Sequence, residues 1–421
     1  MISRALGRLL PETKLERDLA VQCVLSAFAT GSFLTGTAVF FTQVVGLSGA
    51  QVGLGMSIAG AVTLALSLPL GRLSDRVGAK PLWAVAALVE AVFYFAWPLA
   101  RGMVSFVALL SVIAVVSVAG NTGRNVYRLA IFPRGAARVR ALAYMRAARN
   151  VGYTLGALAS GIALAIGTRG AITAVPILTG ALLLLNAAMV AALPGLDRPA
   201  HAAHEEPGAP AASPAWRNRG WVALAACNGV LTSNQVLLNV VVPLWLVERT
   251  DAPRVLLAWL FGTNTVMAVL LQVRASRGAE TVDGALRAVR RCALSFVLSC
   301  VVISITHDTV GWVSVALIWL GHVTITGAEL WQSASDWGFQ SELSDPRRLG
   351  DYQGVWSLGY QAGPILFPGL YTWLALHWGA PGWAVIAGLA VAAAVVAHPA
   401  ARAAQRYLAT AAPGTTEHAL A

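Results

Sequence analysis

Charge is scarce in this sequence. Only 12% of its 421 residues are charged, against about 25% in an average soluble protein, while 57% are apolar. Lysine is nearly absent: Lys14 and Lys80 stand against 28 arginines. Cysteine is limited to Cys23, Cys227, Cys292 and Cys300, all in apolar stretches and without metal-ligand spacing. They are read as small core residues. No Gly-Lys-Ser/Thr phosphate loop is present, which argues against an ATP-driven pump. No Ser-His-Asp arrangement stands out, and His322 in the tenth span reads as a lone buried histidine, a core hydrogen-bond partner rather than a catalyst. These lacks exclude a secreted disulfide domain, a disordered chain and an ordinary cytosolic enzyme. No cofactor and no metal is expected.

What is abundant is apolar sequence in runs of about 20 residues, the length that crosses a bilayer. Mean hydropathy is +0.67. Twelve spans are expected, near 19–45, 48–70, 81–99, 103–130, 143–166, 171–193, 220–246, 254–274, 288–306, 311–334, 352–376 and 380–398. The net charge of +11 suits basic cytoplasmic loops and does not call for nucleic acid. With the N-terminus inside, outer loops hold only Arg101, Arg169, Arg249 and Arg254, leaving 26 of the 30 basic residues within. That asymmetry predicts an even number of spans with both termini cytoplasmic, in the plasma membrane. The first apolar run is longer than a signal peptide's and is expected to remain as a helix.

A Pro-, Ala- and Gly-rich break divides the chain. The expected organisation is a six-helix bundle over 1–193, a cytoplasmic linker over 194–219, a second six-helix bundle over 220–398 and a tail over 399–421. His201, His204, Glu205 and Glu206 in the break read as solvated linker rather than a metal site. The two halves repeat. Gly152-Tyr153 and Gly156 in the fifth span recur as Gly359-Tyr360 and Gly363 in the eleventh, an offset of 207. Internal repeats of this kind mark transporters built from two related halves.

Between the second and third spans stands Gly71-Arg72-Leu73-Ser74-Asp75-Arg76-Val77-Gly78-Ala79-Lys80. This resembles the signature loop of the major facilitator superfamily, with Gly71, Leu73, Asp75, Arg76 and Gly78 in order. The resemblance implies an all-α membrane protein of twelve helices in two pseudo-symmetric bundles. It also implies a gating role for Gly71, Asp75, Arg76 and Gly78. Physically, Asp75 can accept hydrogen bonds from the N-terminus of a neighbouring helix, and Gly78 can take a positive-φ turn. The equivalent loop of the second half, 274–291, keeps only Asp283 and Gly284. Within the superfamily the chain is similar to drug-proton antiporters. It departs from them at Ala157, where they carry proline, and after Arg124, where their Gln-Gly pattern is replaced by Asn125-Val126-Tyr127-Arg128.

Charges inside the bilayer cost several kcal/mol and mark function by default. Glu90 in the third span and Glu329 in the tenth are the candidate proton-coupling residues. Arg124 in the fourth span is placed to pair with Glu329 or to meet substrate. Arg128, one turn on, is expected to snorkel to the interface. Asn121, Asn228, Asn234, Gln235, Asn239 and Trp331 complete the candidate substrate-binding set, with about half of the polar side chains facing a water-filled cavity and the rest joining helices. Phe261, Trp319 and Trp331 offer stacking surface.

The expected function is secondary active transport by alternating access, as proton-coupled export of a hydrophobic or amphipathic small molecule by a monomer. The alternatives are a proton-coupled uptake symporter for a polar metabolite, with Arg124 binding an anion, and a non-transporting receptor on the same fold.

Overall fold

The computed structural model describes residues 13–196 and 214–411, and no strand occurs among them. Twelve long helical segments follow in order: α1 Lys14–Val39, α2 Gly49–Val77, α3 Ala79–Tyr94, α4 Gly102–Ile131, α5 Ala136–Ile166 and α6 Arg169–Ala192. In the second half come α7 Arg219–Arg249, α8 Leu256–Ala275, α9 Val282–Ser304, α10 Trp312–Leu343, α11 Leu349–Trp378 and α12 Ala380–Ala411. Ten of them are long and apolar enough to cross a membrane. The other two, α5 and α11, are diluted by polar residues, with Arg138, Arg140, Arg146 and Arg149 in the first half of α5.

Helix starts follow the capping residues. The Thr13 hydroxyl accepts from the Glu16 N–H while the Glu16 carboxylate accepts from the Thr13 N–H, both at 3.1 Å. Ser48 and Gln51 repeat this box at α2. Two expected boundaries move. The α12 helix continues past 398 to Ala411. The expected signature loop is mostly helix, because α2 runs on to Val77 and only Gly78, at φ +93°, turns the chain into α3. His201, His204, Glu205 and Glu206 lie outside the described residues.

The chain packs as two compact units. The N-terminal unit holds α1–α6 without Arg134–Arg140, and it includes Leu349–Gly354 from α11. The C-terminal unit takes Arg134–Arg140 and the rest of the second half. Each unit thus carries a short segment from the other half of the sequence. The N-terminal unit has an aromatic core in which Phe33, Phe40, Phe41, Trp97 and Phe106 meet edge-on or stacked. In the C-terminal unit Trp221 stacks on Trp356 with centroids 4.5 Å apart. There Trp245 meets Trp383 edge-on and donates to the Thr306 hydroxyl at 2.9 Å.

The glycine repeat is a repeat of helix packing. A Cβ on Gly152 of α5 would stand 2.3 Å from the Val24 carbonyl oxygen of α1. A Cβ on Gly359 of α11 would stand 2.1 Å from the Ala225 oxygen of α7. Equivalent helices therefore touch backbone to backbone in the two units, where only glycine fits. A second shared feature joins α1 and α7. The Val45 N–H bonds the Phe40 carbonyl and the Val242 N–H bonds the Leu237 carbonyl, each five residues back. Such wide turns re-aim side chains and recur at functional sites.

Candidate functional site

In the C-terminal unit the chemistry collects on one stripe of α10. His322, Thr326, Glu329 and Ser333 are spaced by four, three and four residues, so they share a face. All four are buried, Glu329 at 5% exposure. Asn264 of α8 faces this stripe. Its amide donates to the Glu329 Oε2 at 2.9 Å and to the Thr326 hydroxyl at 3.2 Å. One turn along, Gln332 donates to the Asn228 Oδ1 of α7 at 2.8 Å.

Beside this network lies a cavity of about 220 Å³. It is walled by the wide turn of α7, by α8 and by His322 of α10, and Asn239 and Asn264 also face it. His322 is 3% exposed, and neither of its ring nitrogens has a hydrogen-bond partner. The Leu260 backbone lies beside the ring without the geometry of a bond. His322 is therefore not the hydrogen-bonded core residue that its sequence context predicts. Leu238, Leu257 and Leu260, which share its cavity, offer no side-chain donor or acceptor.

The N-terminal unit holds the other intramembrane carboxylate. Glu90 of α3 is half-buried and accepts from the Ser117 hydroxyl of α4. Arg124 lies within its electrostatic reach. Arg124 is itself surrounded by Arg128 of the same helix and by Arg149 and Tyr153 of α5. Arg128 does not snorkel. It is 7% exposed and donates to the Cys23 sulfur of α1 at 2.8 Å. A thiol on the facing helix captures the guanidinium before it reaches the interface. Arg149 sits 5.8 Å above the Tyr153 ring.

The remaining predicted residues divide sharply. Asn121 and Asn239 are exposed, and Gln235 is half-buried. Asn228 and Asn234 are buried and bonded within their own unit. Trp331 packs beneath Arg291, whose guanidinium carbon is 4.7 Å from the ring centroid. Arg124 belongs to the N-terminal unit and Glu329 to the C-terminal one.

The signature segment forms a bonded cluster inside the N-terminal unit. Asp75, 8% exposed, accepts from the Gly350 N–H at 2.6 Å and the Asp351 N–H at 2.8 Å, the first residues of α11. A carboxylate on the free N–H groups of a helix start meets the positive end of the helix dipole. Arg72 donates to the Asp351 carboxylate at 3.1 Å. Gly71 makes room: a Cβ there would stand 2.3 Å from the Gly350 carbonyl oxygen. Arg76 is exposed. The residual acid of the second-half loop, Asp283, pairs instead with Arg402 of α12. In the C-terminal unit Arg138 donates to the Ser341 hydroxyl at 3.3 Å and Arg134 to the Ser344 carbonyl at 3.2 Å.

The sequence matches the family model described as Major Facilitator Superfamily over residues 19–334. The chain belongs to the major facilitator superfamily. No curated protein sequence matches it. Among solved structures it is similar to the major facilitator transporter FucP in the outward conformation, at TM-score 0.70 and 14% identity over 92% of this chain and 98% of that one. The proton:xylose symporter XylE is similar at TM-score 0.69 and 12% identity, over 91% of this chain and 95% of that one. The human organic anion transporter MFSD10 is similar at TM-score 0.63 and 17% identity, over 92% of this chain and all of that one. Identities this low establish the fold. This major facilitator is a multi-pass membrane transporter of small molecules, not an enzyme. Its fold is the one expected from sequence, twelve helices in two halves.

Proposed function

We propose that this major facilitator couples proton movement to the transport of a small amphipathic molecule, running in the export direction across the plasma membrane with both termini cytoplasmic. The observation that carries the reading is Glu329, a carboxylate buried in the bilayer-crossing part of α10 and held by the amide of Asn264. An amide N–H donates to a carboxyl oxygen in either protonation state. Proton uptake therefore removes a buried charge without dismantling the hydrogen bond, and a buried charge is worth several kcal/mol in this setting. Glu90, held by a serine hydroxyl, is a second carboxylate of the same kind. The Asp75 bonds to the start of α11 act as the gate, made in one conformation and broken in the other.

One observation favours a second reading, proton-coupled uptake of an organic anion. Arg124, Arg128 and Arg149 stand together in the N-terminal unit, with Glu90 the carboxylate within reach of Arg124. The guanidinium groups of Arg124 and Arg128 against the one carboxylate of Glu90 leave net positive charge for an anionic substrate group.

The test uses proteoliposomes with an imposed pH gradient and a panel of amphipathic drugs, sugars and organic acids. Lumenal pH is followed for the native chain and for Glu329→Gln. Proton release on addition of an amphipathic compound, lost in Glu329→Gln, is the expected result. Proton movement with organic acids, lost in Arg124→Gln, selects the second reading. No flux with any compound, or flux unchanged in Glu329→Gln, overturns the proposal.

A further inference from the structure

The cavity beside His322 has a shape and chemistry that the coupling carboxylate does not account for. Its volume of about 220 Å³ is about one and a half times that of an engineered cavity of 150 Å³ that accepts benzene. It therefore holds one six-membered ring with a few further heavy atoms. Leu238, Leu257, Leu260 and Phe261 supply apolar wall. Phe261 is 52% exposed, so the cavity is open rather than sealed.

Water alone fits this space poorly. A water occupies about 30 Å³ of liquid and needs two to four polar partners, so filling about 220 Å³ with water asks for more partners than Asn239, Asn264 and His322 provide. An empty cavity also fits poorly, because His322 is left with both ring nitrogens unpartnered at 3% exposure. A buried polar group without a partner costs about 1–3 kcal/mol. The site offers one N–H donor and one nitrogen acceptor at His322. At Asn264 both observed bonds are made by the amide nitrogen, leaving its Oδ1 as a second acceptor. No cationic side chain lines the cavity, so a carboxylate has no counter-charge there. Two acceptors and one donor on an apolar wall match a ring that bears a hydroxyl or a neutral amine.

We propose that this cavity is a binding site for a small uncharged aromatic molecule of phenol type, with its ring against Leu257, Leu260 and Phe261 and its polar group on His322 and Asn264. The assignment rests on the reading of the Glu329 region as the transport centre in one respect only: it makes the site part of the path of the transported molecule. Asn264 then serves both, accepting from the ligand at Oδ1 while donating to Glu329, so that ligand and proton are felt at one side chain. Binding of one ligand changes the affinity for the other reciprocally.

Phenol is the probe, with benzene and benzoate as comparisons, measured at equilibrium on the full chain in lipid nanodiscs by saturation-transfer NMR. No gradient is applied, so the result is independent of whether flux is proton-coupled. Phenol is expected to bind at least tenfold more tightly than benzene, and benzoate is expected not to displace it. Leu257→Trp, which fills the cavity, and His322→Leu, which removes its polar anchor, are each expected to weaken phenol at least tenfold. Phe261→Trp fills the same space from an exposed position and decides the matter should either buried variant fail to fold. Phenol binding that is undetectable in the native chain, or equal in the native chain and the folded cavity variants, overturns the site. If phenol fails to bind while Glu329→Gln abolishes proton flux, the transport reading stands without this site. If phenol binds as expected and flux is unaffected by Glu329→Gln, the site stands and the coupling role falls.

Discussion

Replacing Asp75 by asparagine tests the proposed gate quantitatively. Asp75 accepts two backbone N–H bonds, at 2.6 and 2.8 Å, at the start of α11. A hydrogen bond to a charged group contributes about 1.5–3 kcal/mol. Asparagine keeps one acceptor oxygen and turns an NH2 group toward the other N–H. One bond is lost, the survivor loses its charge, and the helix dipole loses its counter-charge at about 0.3–1 kcal/mol. The sum is about 2–4 kcal/mol against the conformation in which α11 is docked. At 1.4 kcal/mol per tenfold, the undocked population rises about 30-fold to about 700-fold. Ser67→Cys reports the change. Ser67 is fully buried, and its carbonyl lies 3.1 Å from where a Gly354 Cβ would stand, so it is uncovered when the start of α11 leaves α2. The four native cysteines are buried and give the background. The maleimide labelling rate of the Ser67→Cys thiol should rise by the stated factor when Asp75→Asn is added. Arg76→Ala, at an exposed residue, should change it by less than about twofold. A rise below about threefold with Asp75→Asn, or an equal rise with Arg76→Ala, refutes the argument.

Two further outcomes follow from packing and from charge. Gly359→Val puts side-chain atoms into the Ala225 carbonyl, where even a Cβ would be 2.1 Å away. At about 1–3 kcal/mol or more for overpacking, monodisperse yield and Tm should fall. Gly161→Val on α5, with nothing within 4 Å of its Cβ position, should leave both unchanged. Asp251, between α7 and α8, accepts from the Gly311 N–H at 2.5 Å, and this donor holds its carboxyl below the usual range. A depressed folded value means a contribution that is complete above the unfolded value, about 3.9, and lost as pH falls through the folded one. The Tm difference between the native chain and Asp251→Asn should therefore shrink as pH is lowered from about 6 to about 3, and a constant difference counts against it.

How much of this was legible in the sequence depends on range. The twelve spans were readable because bilayer thickness fixes helix length, and the Gly152 and Gly359 repeat because backbone contact tolerates no other residue. Asp75 as an acceptor for a helix N-terminus was readable too. Its partner was not, since residue 350 lies 275 positions away and nothing local names it. The signature segment reads as a loop, yet its first seven residues are helix, because the helix continues through Pro69 and no residue from Gly71 to Val77 ends it. Arg128 departs from the expected snorkelling because that expectation assumes apolar neighbours, and the Cys23 sulfur is on another helix. His322, expected as a hydrogen-bonded core residue, departs for the same reason in reverse. A lone histidine in an apolar run says nothing of whether a donor stands opposite. Only its place on the Thr326 and Glu329 face, at spacings of four and three, was a usable signal.

The polar run of α7 illustrates how such residues divide between structure and ligand. Helix α7 breaks at Ser233, and every side chain near the break has local work. Ser233 exchanges a hydrogen bond with the Tyr371 hydroxyl at 2.9 Å. The Asn234 amide bonds the Leu231 carbonyl at 2.8 Å, and Gln235 bonds the Asn234 oxygen at 3.2 Å. A broken helix in a bilayer exposes carbonyls that water cannot reach, and each orphan costs several kcal/mol. The first half of the run is therefore consumed in closing the break. Beyond it, the wide turn at Leu237–Val241 rotates the helix, and Leu238 and Asn239 emerge onto the cavity wall shared with His322. The break and the wide turn belong to one device. Polar residues before the turn satisfy the backbone, and that satisfaction allows the turn to aim its own residues, Leu238 and Asn239, at a site.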